Sequence, residues 1–263
     1  MQNDFSRPLA VMAIVNRTPD SFYDKGKTFA LDAAVAAGAA AFEAGATIVD
    51  VGGVKFAPGP AVAIEDEIAL VVPVVRELAL LGDVSVDTFH PAVARAAIEA
   101  GAAIINDTTG LRDPQMADVV ADSEARIVIA HSLATPRTQH PLPHYDDVTA
   151  EVGAFLRQRS DLALERGIPA ERIIIDPGHD LNKNTLQTLE ITRRLDEIAA
   201  IGFPLLVALS NKDFIGEALG RERDQRVAGS LAAAVFCVLH GASIVRAHNV
   251  PETVDALRMV ESI

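Results

Sequence analysis

Nine polar or charged residues stand at or just after the ends of short apolar runs, and we call them the tip residues. They are Asn16, Asp50, Asp87, Asn106, His131, Asp176, Lys212, Arg246 and His248. Among them, Asp87, Asn106 and Asp176 provide carboxylate and amide groups. A carboxylate accepts two hydrogen bonds side by side, so this set suits a flat heterocycle that carries several N–H donors.

Lys212, Arg246 and His248 are the cationic tip residues. Their N–H donors and positive charge suit a phosphate or pyrophosphate group. Each tip residue also has a structural explanation, because a polar residue after a strand often caps a helix or stabilises a turn. Nine of them on otherwise apolar runs favour one shared functional edge over nine separate structural roles.

The apolar runs that precede the tip residues are predicted to be buried strands. Residues 173–175 are three consecutive isoleucines, Asp176 ends the run, and Pro177 and Gly178 stop the strand. Strand, polar tip, loop and helix then recur along the whole chain. The predicted strands are 9–16, 47–53, 83–88, 102–108, 126–132, 173–176, 204–210 and 243–249. The predicted helices are 32–45, 65–82, 91–101, 113–124, one ending near 166, 184–202, 222–241 and 251–262.

Strands separated by helix-length segments must pair in parallel through right-handed crossovers. Eight such units predict an α/β chain that forms one (β/α)8 TIM-barrel domain over residues 1–263. In such a barrel the active site lies at the carboxyl ends of the strands, where all the tip residues are expected to meet. A doubly wound open sheet is the alternative, but no G-x-G-x-x-G follows the first strand.

Composition narrows the functional classes. The net charge of −13 and the lack of a basic patch argue against a nucleic-acid partner. No apolar run reaches the ~20 residues of a membrane span, and no signal peptide opens the chain, so a soluble cytoplasmic protein is expected. Cys237, the one cysteine, lies in an apolar run and is expected to be an inert core thiol. His131 lacks the companion residues of a zinc motif, and His140 and His144 are expected to be solvated.

Six segments carry a more specific signal. They are MAIVNRTPDSFYDKG, DVGGVKFAPG, SVDTFHPAVARAAIEAGAAIINDTTG, DPGHDLNKN, LSNKDFIG and RAHNV. In this order, and across nearly the whole chain, they resemble dihydropteroate synthase. The resemblance implies a homodimeric barrel that joins 6-hydroxymethyl-7,8-dihydropterin pyrophosphate to p-aminobenzoate and releases pyrophosphate with Mg²⁺ present.

The resemblance also assigns roles to the tip residues. Four fall on positions that contact the pterin, namely Asp87, Asn106, Asp176 and Lys212. Asp87 and Lys212 are thereby the candidate catalytic residues, with Asp87 stabilising positive charge on the pterin methylene as pyrophosphate leaves. Arg246 and His248 fall on the pyrophosphate-binding positions, and Asn16 falls on the residue that contacts magnesium.

The acceptor side departs from the family pattern. The family usually has Glu-Ser-Thr-Arg where residues 54–57 are Val-Lys-Phe-Ala, so Lys55, Phe56 and Ala57 are altered. Asn211 replaces a second arginine, and residues 180–182 replace a Gly-Phe-Gly. Arg17 and Lys55 are unexpected cations, which either restore an anion contact or are solvated loop charges.

His179 and Asp180 form a new polar pair, which either caps the sixth predicted helix or contacts a different ligand. The changes cluster on one substrate and resemble the divergent second-copy branch of the family, for which weak or absent synthase activity is expected. The alternatives are a pterin transferase with a different acceptor and a non-catalytic pterin-binding regulator of a true synthase. Methyl transfer to cobalamin is a more distant alternative, since no corrinoid partner domain is evident.

Overall fold

A computed structural model describes residues 8–17 and 30–263. Eight parallel strands form one sheet in the order β6-β5-β4-β3-β2-β1-β8-β7. The strands are β1 Ala10–Asn16, β2 Ile48–Gly52, β3 Asp83–Asp87, β4 Ile104–Asp107, β5 Arg126–Ala130, β6 Ile173–Asp176, β7 Leu206–Ala208 and β8 Ile244–Ala247. The edges β6 and β7 approach each other where the Ile175 amide donates to the Pro204 carbonyl at 2.9 Å. The (β/α)8 TIM barrel predicted from the sequence is confirmed, and in the structure it is nearly closed.

Helices alternate with the strands and surround the barrel. They are α1 Leu31–Glu43, α2 Ile64–Leu78, α3 Pro91–Glu99, α4 Gln115–Ala121, α5 Val148–Glu165, α6 Thr185–Arg193, α7 Leu195–Ala199, α8 Asp213–Leu219, α9 Val227–Leu239 and α10 Val250–Ser262. Helix α2 begins at Ile64 and contains Pro73. Within the described ranges, no helix has both the length and the apolar character that crossing a membrane requires.

Two of the predicted helices are wrong in detail. The sixth, predicted over 184–202, is broken at Arg194 into α6 and α7. The Arg194 guanidinium binds the carboxylates of Asp147 at 3.0 Å and Glu197 at 2.6 Å. The seventh, predicted over 222–241, becomes an α-helix only at Val227, after a 3-10 turn at Arg223–Gln225.

Helix α8 was not predicted at all, because its seven residues are too few to show a periodic apolar pattern. Its C-terminus is set by Gly220, whose φ of 63° lies in the left-handed region that glycine adopts without strain. Its N-terminus is set from outside the segment. The Asp180 carboxylate accepts the backbone N–H groups of Asp213 at 2.8 Å and Phe214 at 3.3 Å.

Candidate active site

The alternation of side chains along each strand decides which residues face the barrel interior. In β6, Ile174 belongs to the apolar cluster inside the barrel, whereas Ile173 and Ile175 belong to the larger cluster against the helices. Side chains two residues apart on a strand point the same way. Asp176 therefore continues the inner row of Ile174 and is presented at the open end of the barrel.

On four other strands the tip residue also continues the row of side chains that faces the barrel interior. The inner apolar residues and the tip residues that continue them are Met12 with Asn16, Ile48 with Asp50, Ile104 with Asn106, and Ile244 with Arg246. His131 falls on the opposite phase, since Ile127 and Ile129 of the same strand belong to the outer cluster. The sequence predicted that all nine tip residues converge, and for His131 this is wrong.

Seven of the nine tip residues line one cavity of about 530 Å³ at the carboxyl ends of the strands. They are Asn16, Asp87, Asn106, Asp176, Lys212, Arg246 and His248. Asp50 lies beneath the cavity floor and is fully buried. The acceptor and cationic sets recognised in the sequence therefore share one space large enough for a bicyclic ring and a second small molecule.

Arg246 lies at the centre of a buried charge network on the cavity floor. Its Nε donates to Asp50 Oδ2 at 2.6 Å, and its Nη2 donates to Asp87 Oδ2 at 3.2 Å. Asn106 Nδ2 also donates to Asp50 Oδ2, at 3.3 Å. Asp50 thus orients both the guanidinium and the amide while remaining out of reach of a ligand in the cavity.

Burial shifts the acidity of the cavity carboxylates. It raises the pKa of Asp87 to about 7, a change that Arg246 opposes and that Asp50 reinforces. Burial also raises the pKa of Asp176, while the Lys212 ammonium opposes the rise. Asp176 is held in place by the Gly178 N–H, which donates to its Oδ1 at 2.7 Å. Both carboxylates gain from a ligand that brings N–H donors, because such donors stabilise the ionised form.

His131 is sealed behind the cavity wall by Lys183, a residue that the sequence analysis did not single out. The Lys183 Nζ lies 2.9 Å from His131 Nδ1 and donates to the carbonyls of Gly178 at 2.9 Å and Leu181 at 3.2 Å. Burial lowers the pKa of Lys183 to about 7 and that of His131 to about 3. The neutral imidazole is an acceptor for the ammonium, and the pair ties the β6 loop to β5.

The altered acceptor-side residues do line the cavity. Lys55, Phe56, Ala57 and Asn211 all contribute to its wall. The Asn211 side chain is held by Nδ2, which donates to Asn249 Oδ1 at 3.0 Å. His140, expected to be solvated, instead packs its ring against Phe56 with centroids 5.1 Å apart. This wall has an alanine at position 57 and an asparagine at position 211, the two positions where the family has arginines.

The burial of Arg17 contradicts one of the two alternatives that the sequence suggested for it. Arg17 is buried at 8% exposure, so a solvated loop charge is wrong. Its Nη1 donates to the Leu70 carbonyl of α2 at 2.7 Å. Burial lowers the pKa of the guanidinium. Arg17 is absent from the cavity wall and fastens the end of β1 to α2.

His179 and Asp180 also differ from expectation, since Asp180 caps α8 and not the sixth predicted helix. Asn184 caps α6 instead, where its side chain accepts the Gln187 N–H at 2.9 Å. The His179 carbonyl accepts a hydrogen bond from Lys212 Nζ. The His179 ring is fully buried beside Phe214, and neither ring nitrogen has a hydrogen-bond partner among the described residues.

Replacing His179 with leucine is expected to raise the free energy of unfolding by about 1–2 kcal/mol, because an unsatisfied buried polar group is removed. Burial holds the pKa of His179 well below 6.5, so the unfolded chain takes up a proton that the folded chain refuses. The gain of His179→Leu over the parent protein therefore grows as pH falls below 6.5. Urea titrations at pH 5 and pH 8 measure both effects.

The matched control is His144→Leu, at a histidine whose side chain is 89% exposed. It is expected to change stability by less than about 0.5 kcal/mol at either pH. Equal stability of the His179→Leu variant and the parent protein at both pH values would show that the ring is satisfied in solution.

Three comparisons place this geometry among known proteins. A family model described as "Pterin binding enzyme" matches residues 12–248. "Inactive dihydropteroate synthase 2" of Mycobacterium leprae is 43% identical over 98% of this chain and 93% of that protein. The dihydropteroate synthase of Escherichia coli is 40% identical, again over 98% of this chain and 93% of that protein. Identity alone therefore does not separate this chain from either kind of relative.

Solved structures agree with the fold. The dihydropteroate synthase of Xanthomonas albilineans with 4-aminobenzoic acid superposes with a TM-score of 0.90 at 43% identity, over 98% of this chain and 93% of that one. The same enzyme in complex with 7,8-dihydropteroate gives a TM-score of 0.86 at 42% identity, over 98% of this chain and 94% of that one. The likeness extends over the whole barrel, including the strand ends that carry the cavity.

Proposed function

Since this chain belongs to the family of pterin binding enzymes and is a homologue of the dihydropteroate synthases, we propose that its cavity binds a dihydropterin pyrophosphate and that its synthase activity is weak or absent. The observation that carries the proposal is an asymmetry within one cavity. Asp87, Asn106, Asp176 and Lys212 face it together, while Ala57 and Asn211 occupy the wall where the family has guanidinium groups.

The pterin side is proposed to work through hydrogen bonds to ionised acceptors. Asp87 and Asp176 accept N–H donors of the ring, Asn106 supplies an amide that is already oriented by Asp50, and Lys212 adds a donor. As the bond from the pterin methylene carbon to pyrophosphate breaks, positive charge develops at that carbon. Asp87 is the carboxylate proposed to stabilise this charge, and Lys212 is the second catalytic residue.

The pyrophosphate is proposed to lie against Arg246 and His248, with Mg²⁺ joined to it and to Asn16. Magnesium in such sites is held by one or two protein ligands together with substrate phosphates and water. The described residues fit this chemistry, because Asn16 lines the cavity and its side chain provides an amide oxygen of the kind that magnesium prefers. Gly52 lies beside the Asn16 amide oxygen, which a Cβ at that position would approach to 3.4 Å.

Weak synthase activity follows from the wall at Ala57 and Asn211. Loss of one arginine–anion contact in a buried site costs about 2–5 kcal/mol, which is a factor of about 30 to several thousand in affinity or rate. The relative from Mycobacterium leprae is named an inactive dihydropteroate synthase, which supports weak or absent activity in this chain. The proposed setting is a cytoplasmic homodimer. Exposed apolar residues on α9 and α10, such as Phe236, Leu239 and Met259, support an interface there.

Isothermal titration with the pterin pyrophosphate, followed by a coupled synthase assay, tests the proposal. We expect micromolar binding, and turnover at least about 100-fold below that of the E. coli enzyme measured in parallel. Turnover equal to that of the E. coli enzyme would contradict the weak activity, and no binding of the pterin would contradict the assignment of the pocket.

A second candidate is a transferase that uses a different acceptor. The cavity favours this candidate because space for an acceptor remains next to the altered residues. Phe56, Leu181 and Arg223 line this part of the cavity and do not fill it. A screen of amines and thiols for pyrophosphate release separates the two candidates. Release with none of them would remove the second.

A further inference from the structure

The connection between α8 and α9 carries three arginines within six residues, Arg221, Arg223 and Arg226. Of these three, Arg223 alone lines the cavity. Arg221 is exposed. Arg226 is turned back onto the protein, where its Nη1 binds Asp213 Oδ1 at 2.8 Å and the Asn211 carbonyl at 3.1 Å.

We propose that Arg223 binds the anionic group of the acceptor substrate, and so supplies from the α8–α9 connection a guanidinium that positions 57 and 211 lack. The proposal rests on the proposed function, because it presupposes a pterin in the same cavity. The substrate class is an arylamine that bears a carboxylate or a similar planar anion. Guanidinium suits such a group because it offers two parallel N–H donors.

The charges along this wall support the assignment. Its carboxylates have contacts that fix them within the protein: Asp213 with Arg226, Asp180 with the first N–H groups of α8, and Glu217 with the Thr185 hydroxyl. Their negative charge is therefore partly compensated from within the protein. Lys212 and Arg223 add positive charge to the same wall. An anion that enters the cavity along this wall meets the N–H donors of both cations.

Arg246, on the cavity floor, is already bound to two carboxylates, Asp50 and Asp87. Its attraction for an incoming anion is reduced by those partners. Burial lowers the pKa of the Arg223 guanidinium, the neighbouring Asp213 opposes this change, and Arg226 adds to it. Arg223 lines the same cavity as the altered residues Ala57 and Asn211, which favours it as the anchor of the acceptor.

The test compares Arg223→Ala with Arg221→Ala, which removes the same charge from an exposed position two residues away. Each protein, saturated with pterin and inorganic pyrophosphate, is titrated with p-aminobenzoate, with p-aminobenzenesulfonate and with aniline, which has the ring but no anion. We expect Arg223→Ala to lower the affinity for both anionic amines at least 10-fold and to change the affinity for aniline less than twofold. Arg221→Ala is expected to leave all three within twofold, and Arg223→Lys to recover part of the loss.

Separate titrations with the pterin pyrophosphate and with inorganic pyrophosphate distinguish the possible failures. No binding of the pterin pyrophosphate by the parent protein contradicts the proposed function itself. An equal loss of pyrophosphate affinity in Arg223→Ala would assign the guanidinium to the leaving group and overturn the inference. It is also overturned if the parent protein binds neither anionic amine, or if Arg223→Ala and Arg221→Ala bind them equally.

Discussion

Arg246→Met is expected to lower the free energy of unfolding by about 3–5 kcal/mol, because it leaves buried carboxylates without a counter-charge. Asp50 is fully buried, and Asp87 has 22% of its side chain exposed. Both depend on the guanidinium, which lies 2.6 Å from the first and 3.2 Å from the second. Without it, the carboxylates must be protonated or remain charged in a poorly solvated place. The loss is therefore expected to be larger at pH 8 than at pH 5.

Guanidinium chloride titrations at the two pH values measure this loss. Arg126→Met is the matched control, since Arg126 also pairs with an aspartate, Asp83, but at the surface. It is expected to cost at most about 1 kcal/mol. A double variant tests whether the unpaired carboxylate causes the loss. Adding Asp50→Asn to Arg246→Met is expected to recover at least about 1 kcal/mol of the free energy of unfolding. A cost no greater than that of the control would mean that water reaches the network and solvates it.

The strand phase explains why so much of this site can be predicted from sequence. Once residues 173–175 are recognised as a strand buried on both faces, alternation alone places Asp176 in line with Ile174. The same rule places Asn106 and Arg246. It also excludes His131, because Ile127 and Ile129, four and two residues earlier, pack against the helices.

The parts that could not be predicted depend on contacts between distant segments. Helix α8 begins where it does because Asp180, some thirty residues earlier, accepts its first N–H groups. Arg17 is buried because α2 offers it a carbonyl. Arg223 reaches the cavity because the 3-10 turn after α8 directs it inward, which no local pattern shows. The secondary-structure propensities of a segment do not predict such interactions, because each interaction depends on the tertiary arrangement.

The same network also couples stability to function. Several carboxylates lie close together in the empty cavity, and their mutual repulsion lowers the free energy of unfolding. Arg246 offsets part of this loss. A pterin that brings N–H donors relieves more, so binding and stability are linked through the same side chains. Asp87 shows this link most clearly, because burial raises its pKa to about 7.

Asp87→Asn is expected to stabilise the protein and abolish most pterin binding. A carboxyl group whose folded pKa is raised makes the folded state take up protons more readily than the unfolded state, so the parent protein loses stability as pH rises from 4 to 7. Asparagine removes that loss, and the variant is expected to be more stable by about 1–3 kcal/mol at pH 8 and by little at pH 4. Glu67, whose pKa burial also raises to about 7, repels the Asp87 carboxylate and adds to the rise of its pKa, so relief of this repulsion is part of the expected difference.

Binding is expected to move the opposite way, because an amide cannot replace an ionised acceptor for a ring N–H. Affinity for the pterin pyrophosphate at pH 8 is expected to fall at least about 100-fold, the usual cost of losing one charged hydrogen bond in a buried site. Asp161→Asn, at an exposed position on α5, is the control and should change neither property. Thermal unfolding across pH 4–8, with calorimetric titration at pH 8, measures both. If Asp87→Asn lost stability at pH 8, or bound the pterin as tightly as the control, Asp87 would not be the strained acceptor that its burial indicates.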